Sequence, residues 1–170
     1  MSDEMQAYHR EWWENPERRD PRAMVFKRLN SYLRGRIPGG VYFIGEGTLP
    51  LKALDLGCGR GTITRMLMSL WYNVTAVDVD PVLLSQVHAP ARNMPPYPRL
   101  MKSQADIRKF ELVEDYDIVT CIETAQNLTG DELKSLLYRL WCHTRLLLIN
   151  ISNSRSIYSA WLRLMGWQKS

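Results

Sequence analysis

The chain of 170 residues is poor in the groups that staple a fold or hold a metal, with three cysteines and three histidines. Cys58, Cys121 and Cys142 are odd in number and far apart, so neither a disulfide framework nor a metal-ligand spacing is present. Unpaired cysteines fit a reducing compartment. No apolar run reaches the roughly 18–20 residues of a membrane span. Met1-Ser2-Asp3-Glu4 lacks the charged and apolar regions of a signal peptide, so a cytoplasmic location is expected. There is no internal repeat. Charge is not blocked either: the net formal charge is +4, and the densest basic group is Arg18, Arg19, Arg22, Lys27, Arg28, Arg34 and Arg36. A solvated helix face is its plain reading. Contact with nucleic acid or another anion is the sharper one, but no RNA-binding module signature accompanies it, and nucleic acid is not the expected partner.

The dinucleotide fingerprint Gly-x-Gly-x-x-Gly is also missing. In its place stands Asp55-Leu56-Gly57-Cys58-Gly59-Arg60-Gly61, after the apolar run Leu51, Ala53, Leu54. Ile63, Met66, Leu67 and Leu70 follow at helical spacing. A buried strand, a turn with almost no side chains and a helix make a site for a nucleotide-shaped ligand. A pyrophosphate binder aims helix N–H groups at anionic phosphate. Here a carboxylate, Asp55, heads the turn, and it would repel phosphate but suit an ammonium group. S-adenosylmethionine carries such an ammonium and no phosphate.

This turn resembles the first motif of class I S-adenosylmethionine-dependent methyltransferases. An acid for the ribose hydroxyls is then expected about twenty residues on, at the end of a second strand. Val74-Thr75-Ala76-Val77 is that strand, and Asp78 with Val79 follows. Asp80-Pro81 starts a helix, with Asp80 as N-cap and Pro81 at the first position; Val82, Leu83 and Val87 would face the sheet. After the apolar pair Leu100-Met101, the resemblance implies that Asp106 accepts from the adenine amine and that Ile107 packs on the ring. Tyr116 to Glu123 is similar to the family's fourth strand, placing Cys121 and Glu123 beside the methyl donor. Many small-molecule members continue Glu-x-x-x-His-Leu, whereas this chain reads Glu123-Thr124-Ala125-Gln126-Asn127-Leu128. Asn127 stands where the histidine would be, and an amide cannot take a proton near neutral pH. No residue takes the role of general base. Gln126 and Asn127 would line the acceptor end.

Asn93-Met94-Pro95-Pro96-Tyr97 is similar to the Asn/Asp-Pro-Pro-Tyr signature of amino-methyltransferases. It lies between the second and third strands rather than after the fourth, and it reads better as a stiff proline loop.

The rest predicts an α/β fold: a three-layer α/β/α Rossmann-like sandwich with a mostly parallel sheet. Thr129-Gly130-Asp131-Glu132 is a capping box. Leu133, Leu136, Leu137, Leu140 and Trp141 form a core stripe. Arg145 to Ile151 reads as a central parallel strand. The resemblance spans Leu51 to Ile151, roughly two thirds of a single domain of 1–170. Residues 1–50 would be a helical cap, in which Tyr8, Trp12 and Trp13 are candidates to cover cofactor and substrate. The Gly-punctuated run Gly39 to Gly47 is a short strand or a flap. Residues 152–170 form an amphipathic C-terminal segment, and the family's C-terminal strand hairpin is missing or cut short. A homodimer or a partner protein meeting that segment could cover the sheet edge.

The implied reaction is in-line methyl transfer from S-adenosylmethionine, leaving S-adenosylhomocysteine. The acceptor would be an oxygen or nitrogen of a small molecule, sugar or lipid precursor. No metal is implied. The alternatives are a non-catalytic S-adenosylmethionine-binding protein or partner subunit, and a dinucleotide oxidoreductase, which the glycine spacing disfavours.

Overall fold

Local chemistry sets the element boundaries. A computed structural model describes residues 41–44, 47–90 and 98–151, with helical positions 22, 24, 25, 28 and 31. Tyr8, Trp12, Trp13, the 93–97 motif and the 152–170 segment lie outside the described residues. Strands β1 (Val41–Ile44) and β2 (Gly47–Pro50) pair antiparallel as a separate two-stranded sheet, which resolves the Gly-punctuated run into a hairpin.

Among the described residues the main sheet has five parallel strands: β3 (Lys52–Leu56), β4 (Asn73–Asp78), β5 (Leu100–Gln104), β6 (Tyr116–Cys121) and β7 (Thr144–Ile149). Their order is β5-β4-β3-β6-β7. Helix α1 (Thr62–Ser69) follows the glycine turn. Helix α2 (Pro81–Ser85) is capped as expected, the Asp80 carboxylate accepting from Val82 N at 2.8 Å and Leu83 N at 3.4 Å. Helix α3 (Gly130–Trp141) starts on the complete capping box of Thr129 and Glu132. None of the described helices is long and apolar enough to cross a membrane.

Strand alternation divides the core in two. Ala53, Val74 and Ile118 face α1 through Ile63, Leu67 and Met68. Leu54, Leu56, Val77 and Val119 face α3 through Leu136 and Leu140. The result is the expected three-layer Rossmann-like sandwich.

Three expectations need correction. β7 is an edge strand among the described residues, not a central one. Its apolar run reflects two covered faces, with Leu146 and Leu148 on one side and Leu147 and Ile149 on the other; covered faces do not require two strand neighbours. Val82 is 43% exposed, and Leu84 packs inward instead. A helix of five residues offers too little periodicity to fix its phase. Trp141, in the last turn of α3, is 84% exposed while Leu136 and Leu140 are buried.

The chain runs from β3 outward to β5, then crosses back to β6 and β7 on the other side of β3. The strand order therefore reverses between β3 and β6. In open α/β sheets this switch point, at the carboxyl ends of the strands, is where ligands bind.

Candidate active site

The glycine turn leaves β3 at that switch point. Gly57 N and Cys58 N both donate to Val77 O, at 2.8 and 2.9 Å, which folds the turn onto β4. Gly57 and Gly59 have φ of 68° and 56°, in the left-handed region that favours glycine. A side chain at either position would also meet protein atoms. A Cβ on Gly57 would overlap the Thr124 side chain, and one on Gly59 would overlap the Arg22 guanidinium. Gly61 is the N-cap of α1, with φ 79°.

Asp55 shares the α1 face of β3 with Ala53. Its carboxylate is 2% exposed. It accepts from Thr64 Oγ1 at 2.6 Å, on α1, and from Thr120 Oγ1 at 2.8 Å, on β6. Burial pushes its carboxyl above the usual carboxylate range, against the pull of both hydroxyls and the Arg22 charge. Asp55 thus ties the strand before the turn to the helix after it. Cys58 and Cys121 are buried free thiols. Burial raises both, Cys121 to about 12, so neither is a thiolate near neutral pH.

Asp78 ends β4 beside the turn. One oxygen accepts from Gly59 N at 2.7 Å and the other from Asp80 N at 2.9 Å. A carboxylate offers about four acceptor sites, so each oxygen keeps capacity for a further donor. Val79 next to it is half-buried. After β5, both Asp106 oxygens accept from the Arg108 guanidinium, at 2.6 to 2.9 Å. These bonds hold the Asp106 carboxyl below the usual range. Ile107 is 8% exposed and packs in the core with Leu56 and Tyr116. Arg139 of α3 holds this loop by donating to the carbonyls of Phe110, Ile107 and Arg108.

At the end of β6, Glu123 takes φ 57°, one of two non-glycine residues with positive φ among those described. Asn150, just past β7, accepts from Glu123 N at 2.6 Å and donates to Glu123 Oε1 at 2.5 Å. Thr124 Oγ1 lies 3.2 Å from Gly57 O and 3.3 Å from Ile122 O, and its one hydroxyl proton is shared between these two acceptors. Ala125–Asn127 form one 3-10 turn, with Gln126 half-buried and Asn127 exposed. Among the described residues no group of three or more His, Cys, Asp or Glu is placed to hold a metal ion.

The structure thus gathers Asp55, Gly57, Cys58, Gly59, Gly61, Asp78, Cys121 and Glu123 around one end of the sheet. Sequence reasoning missed Arg22, Thr124 and Asn150. Arg22 was expected on a solvated basic face; it is 7% exposed and lies against Gly59.

Comparison with known proteins supplies the family. The model of the "Methyltransferase domain" family matches residues 53–145. The mitochondrial ubiquinone biosynthesis O-methyltransferase of Schizosaccharomyces pombe is 32% identical over 110 residues, covering 61% of this chain and 39% of that protein. The trans-aconitate 2-methyltransferase of Streptomyces avermitilis is 31% identical over 83 residues, 48% of this chain and 31% of that protein. The chain therefore spans about two fifths or less of the length of these relatives. Among solved structures, magnesium protoporphyrin IX methyltransferase from Synechocystis PCC 6803 with bound S-adenosylhomocysteine shares the fold. Its TM-score is 0.59 at 17% identity, over 85% of this chain and 61% of that one. The family match runs through the glycine turn and every acid described above, and on that ground the chain belongs to the methyltransferase-domain family, among the class I S-adenosylmethionine-dependent methyltransferases.

Proposed function

We propose that the crevice between β3 and β6 binds S-adenosylmethionine. Its methyl group passes to an oxygen or nitrogen of a small-molecule, sugar or lipid-precursor acceptor. Asp78 carries the reading. It is a buried carboxylate, fixed by two backbone N–H groups at the strand end, with acceptor capacity left for ribose hydroxyls. The charges around the turn fit the amino-acid end of the same molecule. Arg22 supplies a cation for a carboxylate, and Asp55 supplies negative potential for an ammonium. Asp106 is the acid assigned to the adenine amine; its carboxylate is engaged by the Arg108 guanidinium and by the Arg108 backbone N–H, so an adenine amine would have to share or displace one of these bonds.

In the transfer, the acceptor lone pair attacks the methyl carbon in line. The carbon–sulfur bond breaks, its electrons stay on sulfur, and the acceptor loses its proton to water. The chain contributes positioning and exclusion of water. Glu123 has one oxygen engaged by Asn150, and Asn127 is an amide, so the reading assigns no general base. The O-methyltransferase relative favours an oxygen acceptor. To the same proposal belong a cap at 1–50, a core at 51–151 and a C-terminal segment at 152–170. Also part of it are a reducing, cytoplasmic setting for the three unpaired cysteines and a second copy or partner at the C-terminal segment.

Calorimetry with S-adenosylhomocysteine and, separately, NAD tests the reading. Saturable binding of the first alone is expected. Binding of NAD without S-adenosylhomocysteine would overturn it.

A further inference from the structure

Two non-glycine residues hold the left-handed backbone among those described, Trp71 and Glu123. Trp71 lies in the connection between α1 and β4, at the opposite end of the sheet from the site. Glu123 opens the loop after β6, beside the switch point. That conformation is disfavoured for a residue with a side chain, and it persists only where neighbours impose it. Asn150 is the neighbour. Its amide oxygen accepts from Glu123 N at 2.6 Å, and its amide nitrogen donates to Glu123 Oε1 at 2.5 Å. Asn150 is itself fixed at the end of the β6–β7 ladder, its N–H donating to Cys121 O at 3.3 Å.

The bend at Glu123 decides where the next residue goes. Thr124 packs into the space a Gly57 side chain would need, and its hydroxyl reaches Gly57 O. The Thr124 carbonyl then accepts from Asn127 N at 3.0 Å, closing the 3-10 turn. A continuous set of contacts therefore runs from the end of β7, across the end of β6, to the glycine turn. We propose that Asn150 is a positioning residue: it holds Glu123 left-handed, and so seats Thr124 on Gly57 and sets the loop 122–127 against the cofactor turn. This rests on the reading that the turn holds S-adenosylmethionine. Asn suits the position because it offers one acceptor and one donor to a single residue. Asp would set a carboxylate against the Glu123 carboxylate.

The test is a double-mutant cycle on the full chain: wild type, Asn150→Ala, Glu123→Gly and the double variant. Two quantities are read, amide hydrogen exchange over 122–128 and S-adenosylhomocysteine affinity. In Asn150→Ala, exchange at Asn127 and Leu128 rises and affinity falls, each by about tenfold, as the competent loop loses population. In the Glu123→Gly background, glycine adopts the bend unaided. There Asn150→Ala changes both quantities by less than about twofold. A structural role alone would destabilise both backgrounds equally, and that result overturns the proposal. So does an Asn150→Ala protein with unchanged exchange. Should Asn150→Ala fail to fold, Asn150→Asp keeps the acceptor and loses the donor. Its loop should loosen, and Glu123→Gln should restore it by returning a donor to the pair; failure of that rescue also counts against the proposal. If wild type does not bind S-adenosylhomocysteine, the functional reading fails while the exchange arm still judges the clamp.

Discussion

Replacing Asp55 by Asn removes a buried charge, keeps the shape, and should move stability and cofactor binding in opposite directions. The carboxylate is 2% exposed and accepts from two hydroxyls, Thr64 at 2.6 Å and Thr120 at 2.8 Å. Burial is the largest influence on it and raises its pKa despite those bonds and the Arg22 charge. A carboxyl raised on folding binds its proton more tightly in the folded chain. Its contribution to stability is therefore greatest at low pH and declines as pH rises from the unfolded value, about 3.9, through the raised folded value. Above that the penalty is constant. Asn mimics the protonated form and should lack the decline. Exchanging two charge-assisted bonds for neutral ones loses roughly 2–3 kcal/mol. Against this stands a desolvation penalty of several kcal/mol for the buried ion. Asp55→Asn should therefore match wild type at neutral pH or exceed it by up to about 2 kcal/mol. S-adenosylhomocysteine binding should weaken as the negative potential at the turn is lost. Denaturant titrations of both proteins from about pH 4 to pH 8, at one ionic strength, give the difference curve. It should rise with pH. A variant less stable by about 2 kcal/mol at neutral pH, or a flat difference, would refute the reasoning.

Asp78→Asn should leave one of two buried N–H groups, Gly59 at 2.7 Å or Asp80 at 2.9 Å, facing an amide NH2. Denaturant melts should show a loss of about 1–3 kcal/mol, and calorimetry a fall in S-adenosylhomocysteine affinity of about a hundredfold. Unchanged affinity would remove Asp78 from the ribose site. Thr129→Ala breaks the capping box of α3, whose hydroxyl accepts from Glu132 N at 3.3 Å. It should lower stability by about 1 kcal/mol, read as a drop of about 2–4 °C in melting temperature.

The elements were legible where a local rule fixes them. Asp80-Pro81 and Thr129-x-x-Glu132 announce helix starts through short-range bonds, and both caps form as read. Strand, turn, strand and acid from Leu51 to Asp78 were legible because the glycines and the acid lie next to the strands that place them. Position across the fold was not legible. A strand reveals whether its faces are covered, so β7 could not be told from a central strand. The five residues of α2 gave too short a repeat to separate Val82 from Leu84. Arg22 and Asn150 act through contacts with residues distant in sequence, at Gly59 and Glu123, and a single sequence carries no record of such pairs.

These distant contacts change what the glycine turn does. From sequence alone, a turn with almost no side chains reads as room for a nucleotide-shaped ligand. In the structure protein atoms stand there: Thr124 against Gly57 and Arg22 against Gly59. The absent side chains admit neighbours from the loop after β6 and from the N-terminal helical positions, and these bring charge and hydrogen bonding to the rim of the crevice. The backbone N–H groups of the turn are engaged as well, Gly57 and Cys58 with Val77 O and Gly59 with Asp78. The turn therefore acts as a junction whose shape depends on β4, on the loop after β6 and on Arg22 together. Cofactor affinity in such a site is a property of all three, since loosening any one reduces the population of the binding-competent form. That is why the Asn150 clamp, which reaches the turn through Glu123 and Thr124, should be read out in S-adenosylhomocysteine affinity.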